Sequence, residues 1–132
     1  ENSALGEFEY DPGKARFNYE IWVNMSFMHN NVASSTQHYK FINKKWRQRK
    51  VGSGNYIYAD VKGEYFQDGC CDKKAADDED SEENTQDAKA VDRSPTSGWG
   101  HKPNGIKSLH YVKIGSTKYE KTLTLPSNPP GC

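Results

Sequence analysis

No stretch of this chain approaches the roughly 20 consecutive apolar residues of a membrane-spanning helix, so no such helix is expected. Apolar residues make up only 33% of the 132 positions, enough for one small core and not two. Eighteen Lys and Arg balance eighteen Asp and Glu, for a formal net charge of zero. Bulk charge therefore draws the chain to neither nucleic acid nor membrane. No phosphate-binding glycine loop and no nucleophile-base motif occurs. The candidate metal ligands are His29, His38, His101, His110 and the adjacent pair Cys70-Cys71. They lack the short regular spacing of a zinc site, and the acidic run lacks the spaced pattern of a calcium loop. No metal and no cofactor is expected.

Cysteine is scarce as well. There are three, Cys70, Cys71 and Cys132. Vicinal cysteines pair poorly with each other because the geometry is strained. The expected bridge joins Cys132 to Cys71 or Cys70. In the chain-entropy model, closing a loop of about 60 residues contributes on the order of 4 kcal/mol. The chain opens on Glu1-Asn2-Ser3-Ala4 without an initiator Met, as a processed chain would. Secretion is the expectation, and Asn24-Met25-Ser26 then offers Asn24 as a glycosylation acceptor.

What the chain does have is alternation. In residues 17–27 every odd position is apolar (Phe17, Tyr19, Ile21, Val23, Met25, Phe27) and the even ones are polar, except Trp22. Successive strand side chains point to opposite faces, so this is a strand with one buried face. Asp11-Pro12-Gly13-Lys14 before it is a turn. Residues 29–36 read as a polar connection. Residues 39–51 hold six basic residues and no acid, with a strand expected at their start. Tyr56-Ile57-Tyr58-Ala59-Asp60-Val61 reads as a further strand, continued past Gly63 by a bulge. Two more strands surround Val112 and Leu123, separated by a turn at Gly115-Ser116. Phe41, Ile57, Val61, Val112, Ile114, Leu123 and Leu125 complete the expected core.

Residues 72–104 differ. Asp77-Asp78-Glu79-Asp80-Ser81-Glu82-Glu83 has no apolar member, and such a segment buries too little to offset its ordering entropy. The expectation is a single all-β domain over residues 1–132, mainly antiparallel, built as a small β-sandwich or partly open barrel. A long disordered acidic loop at residues 72–104 would interrupt it.

Charge is also segregated. Tyr39, Phe41 and Trp46 are interleaved with the basic residues. Lys44, Lys45, Trp46, Arg47 and Arg49, with Trp99 on its own glycine-flanked tip, are the expected partner-binding residues. The acidic segment could fold over the basic one as an internal shield. Lys73-Lys74 at its edge is an expected cleavage point.

His38, Glu64, Arg93 and His110 follow one another in an order similar to that of the secreted guanyl-specific ribonucleases of fungi and bacteria. The resemblance implies that His38 or Glu64 takes a 2′-hydroxyl proton, Arg93 steadies the phosphate and His110 protonates the leaving oxygen. The glycine-threonine context of that family's last His is absent, since Leu109 and Tyr111 flank His110.

The leading functional expectation is a small secreted protein of the effector, toxin or defence type that binds a macromolecular partner. A protein of another organism or host comes first, with nucleic acid or glycan as further partners. The alternatives are a ribonuclease-like protein and a carbohydrate-binding β-sandwich using Trp22, Trp46 or Trp99. Intact mass with and without reductant tests the covalent part. One disulfide predicts a gain of two hydrogens on reduction, and a glycan on Asn24 adds hexose-spaced mass.

Overall fold

The structure, a computed structural model, describes residues 3–24, 30–67, 73–94 and 101–127. Among the described residues nine strands run in chain order: β1 (Ser3–Tyr10), β2 (Ala15–Asn24), β3 (Asn31–Ile42), β4 (Lys45–Gln48), β5 (Tyr56–Gln67), β6 (Lys73–Glu83), β7 (Asp87–Arg93), β8 (His101–Ile114) and β9 (Thr117–Thr124). There is no helix among the described residues. All pairings are antiparallel. Sheet A has five strands in the order β1-β2-β3-β4, with β7 on the same edge of β3 as β4, and sheet B has four in the order β6-β5-β8-β9. The two sheets do not close into a barrel, and the arrangement is that of a small β-sandwich.

The alternating stretch is β2, held between β1 and β3. Its odd residues Phe17 and Ile21 are fully buried, and Tyr19 and Val23 are partly so. Met25 and Phe27 lie outside the described residues. Two apolar clusters fill the space between the sheets. One gathers Ile21, Val32, Val61, Tyr65 and Ile106. The other gathers Phe17, Val51, Ile57, Ala59 and Val112.

Three expectations are corrected. The polar connection at residues 29–36 is, from Asn31, the first half of β3. Its even positions Ser34, Thr36 and His38 point inward and are buried despite being polar. A search for apolar alternation passes over such a strand. Phe41, expected in the core, is 46% exposed; the even positions of β3 point inward, so this odd one lies on the outer face of sheet A with Tyr39 and Trp46.

The third correction is the acidic loop. Residues 73–83 form β6, paired along its length with β5, and residues 87–93 form β7, paired with β3. β6 and β7 are arms of one hairpin that belong to different sheets. The N–H groups of Lys89 and Val91 point away from β3. Side chains of β6 meet them: Lys89 N–H donates to Asp80 Oδ2 at 3.0 Å and Val91 N–H to Asp78 Oδ2 at 2.9 Å. The bond also runs the other way, from the Asp77 N–H to the Asp92 carboxyl. Tyr65 O–H reaches Asp92 Oδ2 from sheet B at 2.8 Å. Carboxylates thus span a gap too wide for a backbone ladder. Burial, with Asp78 and Asp77 nearby, raises the Asp92 carboxyl above its ordinary value, against the lowering effect of its two hydrogen bonds.

The expected bulge after Lys62 is present. Gly105 supplies it at φ +64°, and the chain of β8 presses on Gly63. A Cβ at Gly63 would lie 2.4 Å from Ile106 Cδ1 and 3.0 Å from the Gly105 carbonyl. Ile106 is buried and has nowhere to go. Gly63→Ala is therefore expected to lower unfolding free energy by about 1–3 kcal/mol, read from urea denaturation, whereas Gly54→Ala, with nothing within 4 Å, costs only its backbone strain at φ +79°.

Candidate functional site

The basic segment forms a hairpin. Asn43 and Lys44 both take positive φ, 52° and 65°, the conformation of a two-residue type I′ turn, which matches strand twist. β3 and β4 pair through Tyr39↔Gln48, Phe41↔Trp46 and Ile42↔Lys45. One face of this hairpin presents Tyr39, Phe41, Trp46 and Gln48. Phe41 and Trp46 touch with ring centroids 5.3 Å apart and planes tilted by 60°. Arg16 from β2 lays its guanidinium over Trp46 at 4.5 Å and beside Tyr39 at 5.4 Å. It is also paired with Glu7 at 3.0 Å.

Lys40, Lys44, Lys45, Arg47, Arg49 and Lys50 are all exposed. Among the described residues no acid lies within ion-pair distance of any of them. Arg49 Nη1 donates only to the Gln48 carbonyl, at 3.0 Å. The shield expected from the acidic segment is not there, because β6 is committed to β5 and β7. The structure thus brings together Lys44, Lys45, Trp46, Arg47 and Arg49 as expected. Phe41, counted as core, joins them. Trp99, Cys70, Cys71 and Cys132 lie outside the described residues. Asn24 is exposed at the end of β2.

The nuclease-like set does not converge on solvent. His38 and His110 point between the sheets and are 0% exposed. Glu64 is on the outer face of sheet B, in an ion pair with Lys73 at 3.4 Å. His110 and Glu64 thus occupy opposite faces of one sheet. A buried imidazole cannot reach a phosphate in solvent.

The histidines have structural partners instead. Thr36 Oγ1 donates to the Tyr58 carbonyl at 2.7 Å, so it accepts from His110 Nδ1–H at 2.9 Å. That leaves His110 Nε2 to accept from Ser108 Oγ–H at 2.6 Å. His38 Nδ1–H donates to the Arg49 carbonyl at 2.9 Å, and its Nε2 accepts from the Tyr10 hydroxyl. Tautomers are assigned from these partners. In both cases the neutral ring satisfies every neighbour. Ser34 Oγ adds a bond to the Asp60 carbonyl at 2.7 Å. The bonds of Thr36 and Ser34 stitch sheet A to sheet B through the middle of the core.

Burial drives both imidazoles towards the neutral form. His110 is lowered to about 4, with a smaller opposing effect of the Ser35 backbone, and His38 is lowered as well. Burial raises the Tyr10 phenol, with Asp11 and Tyr119 adding to it. No group of three or more His, Cys, Asp or Glu among the described residues is placed to hold a metal ion. Compared with family models, with curated proteins and with solved structures, the chain matches none.

Protonating His110 favours the unfolded chain, where its value is the ordinary 6.5. Its stabilising share is complete above that pH and is lost as pH falls towards the folded value of about 4. Between pH ~7 and pH ~5 this share amounts to on the order of 2 kcal/mol. Urea unfolding of His110→Gln, which keeps an amide for Thr36 and Ser108 but does not titrate, should lose less stability over that interval by this amount.

Proposed function

We propose that this protein is a binding module whose β3–β4 hairpin docks on an acidic surface of a protein partner. The observation that carries the reading is the unpaired cationic hairpin with an exposed Phe41 at its centre. An apolar anchor within a charged rim is the usual anatomy of a protein interface. Exposed cations steer an acidic partner into place and set the association rate. Phe41 supplies the apolar area that holds it.

A single-stranded nucleic acid would ask for open ring faces on which bases stack. Here one face of Trp46 carries the Arg16 guanidinium, and Phe41 packs against the ring as well. Phosphate contacts alone would remain. The acidic partner protein is therefore the better fit. A secreted role of effector, toxin or defence type accords with a small domain that carries its contacts on one hairpin. The buried histidines support a binding rather than a hydrolytic role.

An acidic peptide with leucines among its glutamates serves as probe in a surface-binding assay, with an oligouridylate as comparison. Peptide binding is expected to fall steeply as salt rises past about 0.1 M. It should be abolished in the combined variant Lys44→Glu, Lys45→Glu, Arg47→Glu. Phe41→Ala should weaken it about tenfold with the salt slope unchanged. Tighter binding of the oligouridylate than of the peptide would overturn the reading in favour of nucleic acid.

A further inference from the structure

The outer face of sheet A is not covered by any described element, and it is not flat. Its side chains fall into rows across the strands: Leu5-Glu20-Ser35, Glu7-Asn18-Gln37 and Glu9-Arg16-Tyr39. Short side chains at Asn18 and Ser35 leave a depression between taller neighbours. The result is a cleft of about 280 Å³. Asn18, Ser35, Gln37, Leu5, Glu20 and Arg16 are among the residues that line it.

Two polar atoms here have no hydrogen-bond partner within the protein, although solvent does not reach them: Arg16 Nε and Asn18 Oδ1. A buried unpaired polar group costs roughly 1–3 kcal/mol, and such groups in a native fold call for a reason. One is a donor and the other an acceptor, side by side on β2. Turning either side chain towards a ligand sacrifices no existing bond at these atoms.

Charge narrows the ligand. β7 extends two of these rows with Lys89 and Asp87; Glu7, Glu20 and Asp87 still outnumber Arg16 and Lys89, and Arg16 is already paired with Glu7 at 3.0 Å. A phosphate or carboxylate would meet net repulsion. Amides, carboxylates, a hydroxyl and a guanidinium are together suited to neutral vicinal hydroxyls, which donate and accept at once. Aromatic rings flank the cleft along the strands. Trp22 follows Glu20 on the same face of β2, and Tyr39 follows Gln37 on β3. From the Trp22 row to the Arg16-Tyr39 row is six residues, about 20 Å at the strand rise, a length of several pyranose units.

We propose that this cleft is a binding site for a neutral saccharide chain lying along the strands of sheet A. Asn18, Gln37, Glu20 and Ser35 take its hydroxyls. Trp22 has the Lys89 ammonium over one ring face at 5.6 Å and Tyr39 the Arg16 guanidinium at 5.4 Å, so each offers only its other face to the apolar side of a sugar. The site shares Arg16 and Tyr39 with the hairpin but none of the exposed cations Lys44, Lys45 and Arg47, so it can fail or hold apart from the acidic-partner reading.

The purified full chain is titrated calorimetrically with cello-, xylo-, chito- and manno-hexaose. At least one is expected to bind, with an affinity nearly constant between about 0.05 and 0.5 M salt, as contacts between uncharged hydroxyls are not screened. Asn18→Ala and Gln37→Ala should each weaken it tenfold or more while the melting temperature stays close to that of the parent. The triple reversal of Lys44, Lys45 and Arg47 should leave it unchanged. Binding of none of the four, binding that persists in both Asn18→Ala and Gln37→Ala, or affinity that collapses with salt would each overturn the proposal.

Discussion

Two arms of one hairpin, β6 and β7, are hydrogen-bonded into opposite sheets, and the gap between them is bridged by carboxylates. This constraint shapes much else. A backbone ladder cannot span the distance between stacked sheets, which is about twice the spacing of paired strands. Asp78 and Asp80 reach across it and satisfy backbone donors of β7 that β3 leaves unused. Asp92 does the same in reverse for β6. The edge of β7 is thereby protected from pairing with another chain. An acidic composition, which in isolation argues for disorder, here serves as the connecting material of the sandwich.

A second tie runs through the core. Thr36 and Ser34 of β3 carry hydrogen bonds to His110 and to the Tyr58 and Asp60 carbonyls of sheet B, between the two apolar clusters, and Ser108 supports His110 from within β8. A network of this kind is favourable only when every member is satisfied. The neutral tautomers meet that condition, and burial outweighs the opposing backbone hydrogen bonds to keep both rings uncharged. The same arrangement takes the histidines out of chemistry and makes them gauges of pH. What remains for function is the exterior, namely the cationic hairpin and the polar cleft beside it. Arg16 belongs to both, stacking on Trp46 while walling the cleft.

Much of the sheet architecture was legible from alternation and turn chemistry. The strand centred on Ile21, the Asp11-Pro12-Gly13-Lys14 turn, the bulge after Lys62 and the Gly115-Ser116 turn are where local pattern puts them. The basic cluster was legible too, because six cations within thirteen residues fall together in any fold. The first half of β3 was not, since Ser34, Thr36 and His38 are polar and only their partners on the facing sheet make their burial affordable. Nor was the exposure of Phe41, which follows from the polar even positions of β3 taking the inner face and leaving the odd ones outside. The cleft left no signal, because it is made by the register in which three consecutive strands, β1 to β3, set short side chains beside long ones, and alternation alone does not give that register.

Composition and period 2 alone therefore determined an all-β chain with one core and a segregated positive segment, because strand sidedness is a local property of the backbone. Three things were decided only by tertiary structure: that the acidic run is a strand, that His38 and His110 are buried and neutral, and that the open face of sheet A is hollow. Each depends on what lies across a gap of about 10 Å between sheets, or on neighbours one strand away. Such distances are set by how strands pair and stack, and no window along the sequence contains them.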